Sequence, residues 1–261
     1  MLGSRAVAKT KKPAKKPAAP KKSAKPAKKL PIPKSTRVTR AAPPVVLPPA
    51  PPAQRDELAA PRDVGRLIRY GERFGSNKID VRMWNAPNTS VPAQLPITSG
   101  SIAIFDPADK KSWRLFDRPA GTGQFRIMLS TVKPHNAMDQ SKDRLAGLVI
   151  HTGRPPIARW VVAHYKGYKK PKTADLQSLT SSEGWIALTD GAGGWPGTLE
   201  LPPAAGTQPI EVALADGRRA LAIPTGTSAV TAYWAIDAAD KPICLVIDCD
   251  AITQKDWKAK S

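Results

Sequence analysis

The sequence predicts a mostly β domain preceded by a long basic segment. All 15 aromatic residues lie at Tyr70 or beyond, among short apolar runs bounded by Gly, Pro, Asp or Asn. Such runs, rich in β-branched and aromatic residues, are typical of strands. No amphipathic helix pattern is longer than two or three turns. Roughly eight short strands separated by Gly/Pro turns indicate a β-sandwich or a β-barrel.

Five of the predicted strands are single runs. They are 100–105 (GSIAIF), 123–129 (GQFRIML), 145–151 (LAGLVIH), 158–165 (ARWVVAHY) and 184–189 (GWIALT). Each combines apolar side chains with turn-forming residues at its ends, which is the ordinary signature of a strand.

Two longer segments predict β-hairpins. In 209–224, Asp216 and Gly217 supply a tight turn. The apolar residues expected to face each other across this turn are Ile210, Val212, Leu214, Leu221 and Ile223. In 227–251 two alternating strands follow each other. Their apolar positions are Val230, Trp234, Ile236, Ile243, Leu245 and Ile247.

The first 55 residues differ in kind from the rest. They hold 15 of the 41 Lys and Arg residues, none of the 21 acidic residues and 12 of the 28 prolines. A segment with strong self-repulsion and few large apolar side chains cannot bury enough surface to fold. We therefore predict a disordered basic arm over 1–40, a Pro-rich extended linker over 41–61 and a single folded domain over 62–261.

The basic arm is the strongest functional signal in the sequence. Cations on a flexible chain bind polyanions by releasing counterions, without reading base sequence. Lysine suits this role because it is a mobile point charge. A nuclear-import signal and a solubility tail are the alternatives. The predicted RNA-binding residues are Arg5, Lys9, Lys11, Lys12, Lys15, Lys16, Lys21, Lys22, Lys25, Lys28, Lys29, Lys34, Arg37 and Arg40.

A second basic run lies within the predicted domain, at 159–172 (RWVVAHYKGYKKPK). Basic side chains interleaved with aromatic ones suit single-stranded nucleic acid, because bases stack on the rings. A solvated loop with one or two structural tyrosines is the alternative. The residues concerned are Arg159, Lys166, Lys169, Lys170, Lys172, Tyr165 and Tyr168.

Catalytic and metal chemistry is weakly represented. The sequence contains three histidines, His135, His151 and His164, but no Gly-x-Ser-x-Gly motif that would place a nucleophilic serine near one of them. We therefore predict no catalytic residue and no enzyme. No cofactor is expected either. Asp248 and Asp250 are candidate ligands for a structural calcium ion, with Asp240, Asp237 or a neighbouring chain's carboxylates at a subunit contact as further ligands. Exposed acids at the end of a strand are the alternative.

The remaining sequence features bear on the cellular compartment in which the protein is made. No secretory signal is predicted, and the longest apolar runs, such as ICLVI, are too short to span a bilayer. Cys244 and Cys249 lie five residues apart in one predicted strand, so they are expected to point to opposite faces without pairing. This cysteine usage favours synthesis in a reducing compartment.

The combination of these features resembles a known family. The segment KKPAKKPAAPKKSAKPAKKLPIPKSTR, followed by PPVVLPPAPP and a β domain with two cysteines, resembles the coat proteins of small icosahedral positive-strand RNA viruses. The arm is most similar to those of bromovirus-group coats, and tombus-like and sobemo-like coats have comparable arms. The resemblance is compositional in the arm and topological in the domain.

The resemblance implies a fold and a function. The domain is expected to be an eight-stranded jelly-roll β-sandwich that self-assembles into a capsid shell. The arm would line the interior and package viral single-stranded RNA. The protein would be made in the host cytoplasm and reside in the virion, with no membrane partner. The rivals are a viral movement or silencing protein, a chromatin-type protein with a basic tail, and a capsid protease.

Overall fold

The structure is a computed structural model that describes residues 55–85, 90–134, 143–154, 156–170, 172–226 and 229–258. In these ranges the chain forms fourteen strands in two antiparallel sheets, one short α-helix, α1 (Gln254–Lys258), and three 3-10 turns at Val64–Ile68, Lys110–Ser112 and Ala174–Gln177. The mostly β prediction is confirmed. The expected number of eight strands was too low, because several strands are only two to four residues long.

The strands follow each other closely along the chain. They are β1 (Arg73–Phe74), β2 (Asn77–Met83), β3 (Gln94–Ile97), β4 (Ile102–Phe105), β5 (Arg114–Leu115), β6 (Gly123–Pro134), β7 (Arg144–His151), β8 (Arg159–Val162), β9 (Leu179–Thr180), β10 (Trp185–Asp190), β11 (Ile210–Ala213), β12 (Arg219–Pro224), β13 (Ala229–Ile236) and β14 (Pro242–Asp248). Each of the five single runs predicted from the sequence overlaps one of them.

The larger sheet has the order β1-β2-β6-β7-β14-β13-β8, with β3 paired to β6 and β9 paired to β13. The smaller sheet has the order β11-β12-β10-β4-β5. Within the larger sheet, β7, β8, β13 and β14 lie in the spatial order β7-β14-β13-β8. The three neighbouring pairs in this order, β7 with β14, β14 with β13 and β13 with β8, are all antiparallel.

The main core lies between the two sheets. Its members from the smaller sheet include Ile104, Leu188 and Ile223, and those from the larger sheet include Leu129, Ile150 and Trp234. The inner faces of both sheets therefore contribute to one buried cluster.

The outer face of the larger sheet is covered as well. Val64, Leu67 and Phe74, from the segment that precedes β2, pack with Tyr233 and Val246 in a second buried cluster. The ring of Trp257 in α1 meets Phe74 edge to face, with 4.7 Å between ring centroids. With both faces covered, β7 and β14 are buried along nearly their whole length.

The two predicted hairpins form, but the pairing across the first one was wrong. Ile210 lies opposite Ala222 and Val212 opposite Ala220, instead of facing Leu221 and Ile223. The turn has three residues, because the Leu214 amide donates to the Arg218 carbonyl (2.8 Å) and Gly217 adopts a φ of +82°. One additional turn residue shifts the register by one and reverses which side chains share a face.

The second hairpin pairs β13 with β14 as predicted. Val230, Trp234 and Leu245 belong to the core between the sheets. Ile243 belongs to the outer cluster instead, beyond a register shift between Ala235 and Ile236.

Candidate nucleic-acid interface

The predicted RNA-binding arm lies outside the described residues. This applies to Arg5, Lys9, Lys11, Lys12, Lys15, Lys16, Lys21, Lys22, Lys25, Lys28, Lys29, Lys34, Arg37 and Arg40. The described chain begins at Arg55, and the candidate interface lies around this junction with the preceding residues.

The segment that follows this junction adds to an edge of the larger sheet. β8 is the last strand in the sheet order, and Ala59 bridges to Val161 in antiparallel fashion. The Ala60 amide donates to the Trp160 carbonyl (3.0 Å), and the Val162 amide donates to the Leu58 carbonyl (2.8 Å). Packing against the sheet therefore begins before residue 62, and an otherwise open edge is partly covered.

A cluster of four charged side chains fastens this segment. Arg118, which is buried, donates from Nε and Nη2 to the two carboxylate oxygens of Glu57 (3.1 and 2.6 Å) and from Nη1 to the Asp240 carbonyl (2.6 Å). Arg159 donates to the Asp240 carboxylate. Arg159 was predicted from the sequence as a nucleic-acid contact, but the structure uses it in this ion cluster.

The pKa values of this ion cluster reflect the pairing. Burial alone would raise the pKa of the Asp240 carboxyl, but hydrogen bonds from Arg159 and Arg118 hold it below its ordinary value. Burial alone would lower the pKa of the Arg118 guanidinium, but its bonds to Glu57 and Asp240 raise it. Both groups therefore stay charged, and the pairing stabilises the docked segment.

Residues 164–170 form a loop, called here the basic loop, that is anchored beside β5. The Asp117 amide donates to the His164 carbonyl, and the Lys166 amide donates to the Leu115 carbonyl (both 2.8 Å). The Tyr168 amide donates to the Tyr165 carbonyl (3.2 Å), which closes a turn in which Gly167 has a φ of +82°. A positive φ at the third position is the condition that favours Gly in a type II turn.

The two tyrosines of this loop have different roles. The Tyr165 ring is buried 5.3 Å from that of Phe116, and its hydroxyl donates to the Gln177 carbonyl (3.2 Å). Burial raises the pKa of Tyr165. Tyr168 is 45% exposed, and the Arg114 guanidinium lies 4.6 Å from its ring centroid. Tyr165 is therefore a core residue, and Tyr168 is the aromatic side chain available for stacking.

The four predicted lysines lie at the surface. Lys166, Lys169, Lys170 and Lys172 are all exposed. Lys170 donates to the Asp56 carbonyl (2.7 Å) and carboxylate (3.1 Å). An ion pair this exposed contributes little stability and is easily exchanged. The first described residues, Arg55 and Asp56, therefore lie beside the basic loop.

A basic run that the sequence reasoning did not single out joins the same surface. Arg114 lies over Tyr168 and also donates to the Lys111 carbonyl, so the exposed Lys110 and Lys111 are placed next to the basic loop. The available signal was the segment KKSWR at 110–114, in which three cations flank a tryptophan.

A cavity of about 760 Å³ lies between residues 55–59 and the basic loop. His164 lines it, and the Nε2 atom of this histidine is buried without a hydrogen-bond partner in the described part of the chain. The other side chains on its wall include Arg55, Leu58, Val162, Tyr168 and Lys170. The cavity is therefore bounded by apolar, aromatic and cationic groups together.

The carboxylates considered for calcium are engaged by other groups. Asp248 is buried and accepts a hydrogen bond from Arg62, which also lies 3.7 Å from Asp250. Burial raises the pKa of Asp248, although Arg62 opposes the shift. Asp240 belongs to the ion cluster, and Asp237 accepts from the backbone amides of its own turn. Across the described ranges, no group of three or more His, Cys, Asp or Glu side chains could hold a metal ion.

The histidines and cysteines occupy structural positions where they are described. His151 Nε2 lies 2.9 Å from the sulfur of Met128. Burial and, to a smaller extent, the charge of Arg126 lower the pKa of His151. His135 lies outside the described residues. Cys244 and Cys249 are free and buried in different clusters, as expected for opposite faces. Burial raises the pKa of Cys244 to about 12.

Comparison with protein-family models, with curated proteins and with solved structures finds no match to this chain. Among the residues that the structure describes, no helix has the length and apolar character required to cross a membrane. The function is therefore inferred from the sequence and the contacts of this chain alone.

Proposed function

We propose that the protein is the coat protein of a small RNA virus. Copies of the β domain assemble into a closed shell, and the basic arm of each copy binds viral single-stranded RNA inside it. The protein is made in the host cytoplasm and resides in the virion. Neither a membrane partner nor a catalytic step forms part of the proposal.

The separation of charge along the chain carries this proposal. Residues 1–54 contain 14 basic residues and no acidic one, whereas the rest of the chain has nearly balanced charge. A polycation of this kind binds RNA of any sequence through its phosphates. Within the domain, the exposed lysines of the basic loop provide a further group of cations. Such a chain neutralises a long genome while its apolar-cored domain remains free to pack against copies of itself.

For the fold, we propose that the shell domain is a jelly roll with additional short strands. The two antiparallel sheets packed over one core, in which strands distant in the chain such as β8 and β13 lie side by side, support this assignment. The short β1, β5 and β9, of two residues each, are additions to the basic pattern.

The experiment that tests the function is expression of the full chain in cells, followed by electron microscopy and quantification of nuclease-protected RNA in the same fractions. The proposal predicts closed particles that protect RNA. Soluble monomers or open RNA–protein fibres would contradict it and would favour a movement, silencing or chromatin-type protein.

A further inference from the structure

The cavity beside the basic loop has the size and composition of a small-ligand site. Its volume of about 760 Å³ falls within the range that holds small organic molecules. Leu58, Ala59 and Val162 provide an apolar wall, and Tyr168 provides an aromatic edge. An apolar wall with a few placed polar groups is the usual design of such sites.

The polar groups of the cavity are suited to one nucleotide. His164 lines the cavity, but its unpaired Nε2 is buried away from solvent, so the polar contacts open to a ligand come from the cationic side chains. Arg55 and Lys170 stand at the rim, where a phosphate group would find two cations.

We infer that this cavity binds one nucleotide of single-stranded RNA, with its base against Tyr168 and its phosphate between Arg55 and Lys170. The inference rests on the proposed RNA-binding function and specifies a base-contacting site for it. The arm recognises charge alone, whereas this cavity would recognise the base itself.

None of the three acidic residues on the cavity wall opposes this assignment, and one of them, Glu57, is already paired with Arg118. Asp56 pairs with Lys170 and Asp117 lies 3.9 Å from Arg55, and these side chains are largely exposed. Exposed pairs exchange partners at little cost, so a phosphate can replace a carboxylate. Because the arm and linker join the domain beside this cavity, RNA held by the arm would reach it at high effective concentration.

The test compares two single strands of equal charge on the full-length protein. One is a ten-nucleotide oligouridylate, and the other is an abasic ten-mer of the same backbone. We expect the wild-type protein to prefer the oligouridylate by about tenfold, since a base stacked on an aromatic ring adds affinity that an abasic site cannot. Tyr168→Ala should abolish the preference without changing the salt dependence, because it removes no charge.

Tyr70→Ala is the matched control, because Tyr70 is an exposed tyrosine (72%) away from the cavity. This variant should retain the preference. Tyr168→Phe should retain it as well, since the ring remains.

The outcomes separate the cavity from the proposed function. Equal wild-type binding of both strands, with strong salt dependence, would overturn the cavity site while leaving the RNA-binding arm intact. A preference that survives Tyr168→Ala would overturn the assigned location. Failure to bind either strand would overturn the RNA-binding function and the cavity site with it.

Discussion

Two sets of cations lie close together at one edge of the larger sheet, and the fold treats them differently. Arg118 and Arg159 are held by Glu57 and Asp240, and the guanidinium of Arg118 is almost completely buried. The lysines of the basic loop remain in solvent, and Lys170 alone among them has an ion pair in the described part of the chain. The two arginines therefore stabilise the fold, whereas the lysines of the basic loop remain available to a ligand.

The difference follows from the chemistry of the two side chains. A guanidinium presents its donors in a planar fork, which matches the two oxygens of Glu57. An ammonium is a strongly hydrated charge on a flexible stem, which suits changing phosphate contacts. Net charge counted from a sequence does not distinguish these roles, but residue type and burial do.

Replacing Arg118 with Met should produce the largest effect. The change leaves Glu57 and part of Asp240 without their partner, so the free energy of unfolding should fall by about 3 kcal/mol. RNA affinity should not change. Urea denaturation monitored by tryptophan fluorescence measures the first quantity. Lys166→Met is the control and should change stability by less than about 0.5 kcal/mol. A similar loss of stability in Arg118→Met and Lys166→Met would contradict the distinction between cations that stabilise the fold and cations that remain in solvent.

Acid should weaken the ion cluster specifically. The pKa of Asp240 in the folded protein lies below its ordinary value. The Asp240 carboxylate therefore contributes its full stabilisation above the ordinary pKa, and this stabilisation is lost as the pH falls from the ordinary pKa through the folded one. We therefore expect the stability difference between the wild-type protein and Arg118→Met to shrink between pH 7 and about pH 3. A difference that stays constant over this range would show that the carboxylate pairing is not its source.

Replacing the four lysines at 166, 169, 170 and 172 together with Gln should affect binding only. Each phosphate contact contributes a little under one unit to the salt dependence, so we expect the slope of log K against log salt to become less negative by about 2. Affinity at moderate salt should fall as well, because fewer counterions are released on binding.

The control for the lysine variant replaces Lys241, Lys255 and Lys258, which are exposed elsewhere on the domain. Fluorescence anisotropy at several salt concentrations measures both proteins. An unchanged slope in the lysine variant would make residues 166–172 an ordinary solvated surface.

The sequence was a good guide to local structure. The runs in β4, β7 and β10 predicted strands correctly, because the preference of β-branched residues for extended chain is local. The uninterrupted apolar character of ICLVI in β14 also carried a signal of burial on both faces. The pairing of Ile210 and Val212 was missed because it depended on a single additional turn residue.

The candidate site could be predicted only in part. The exposed lysines of the basic loop were recognised from composition, but Tyr165 and Tyr168 could not be told apart without the packing of Phe116. Arg118 and Glu57 are 61 residues apart in the chain, and Arg118 and Asp240 are 122 apart. No local pattern reveals such pairs, since they exist only after the sheets have formed.

The central claim is that the arm packages RNA while the domain forms the shell. The most direct test is the amount of RNA that copurifies, per subunit, with the chain lacking residues 1–40 compared with the full-length chain. The account predicts a folded β domain with an unchanged urea midpoint and almost no protected RNA. Equal RNA content per subunit in the two proteins would contradict it.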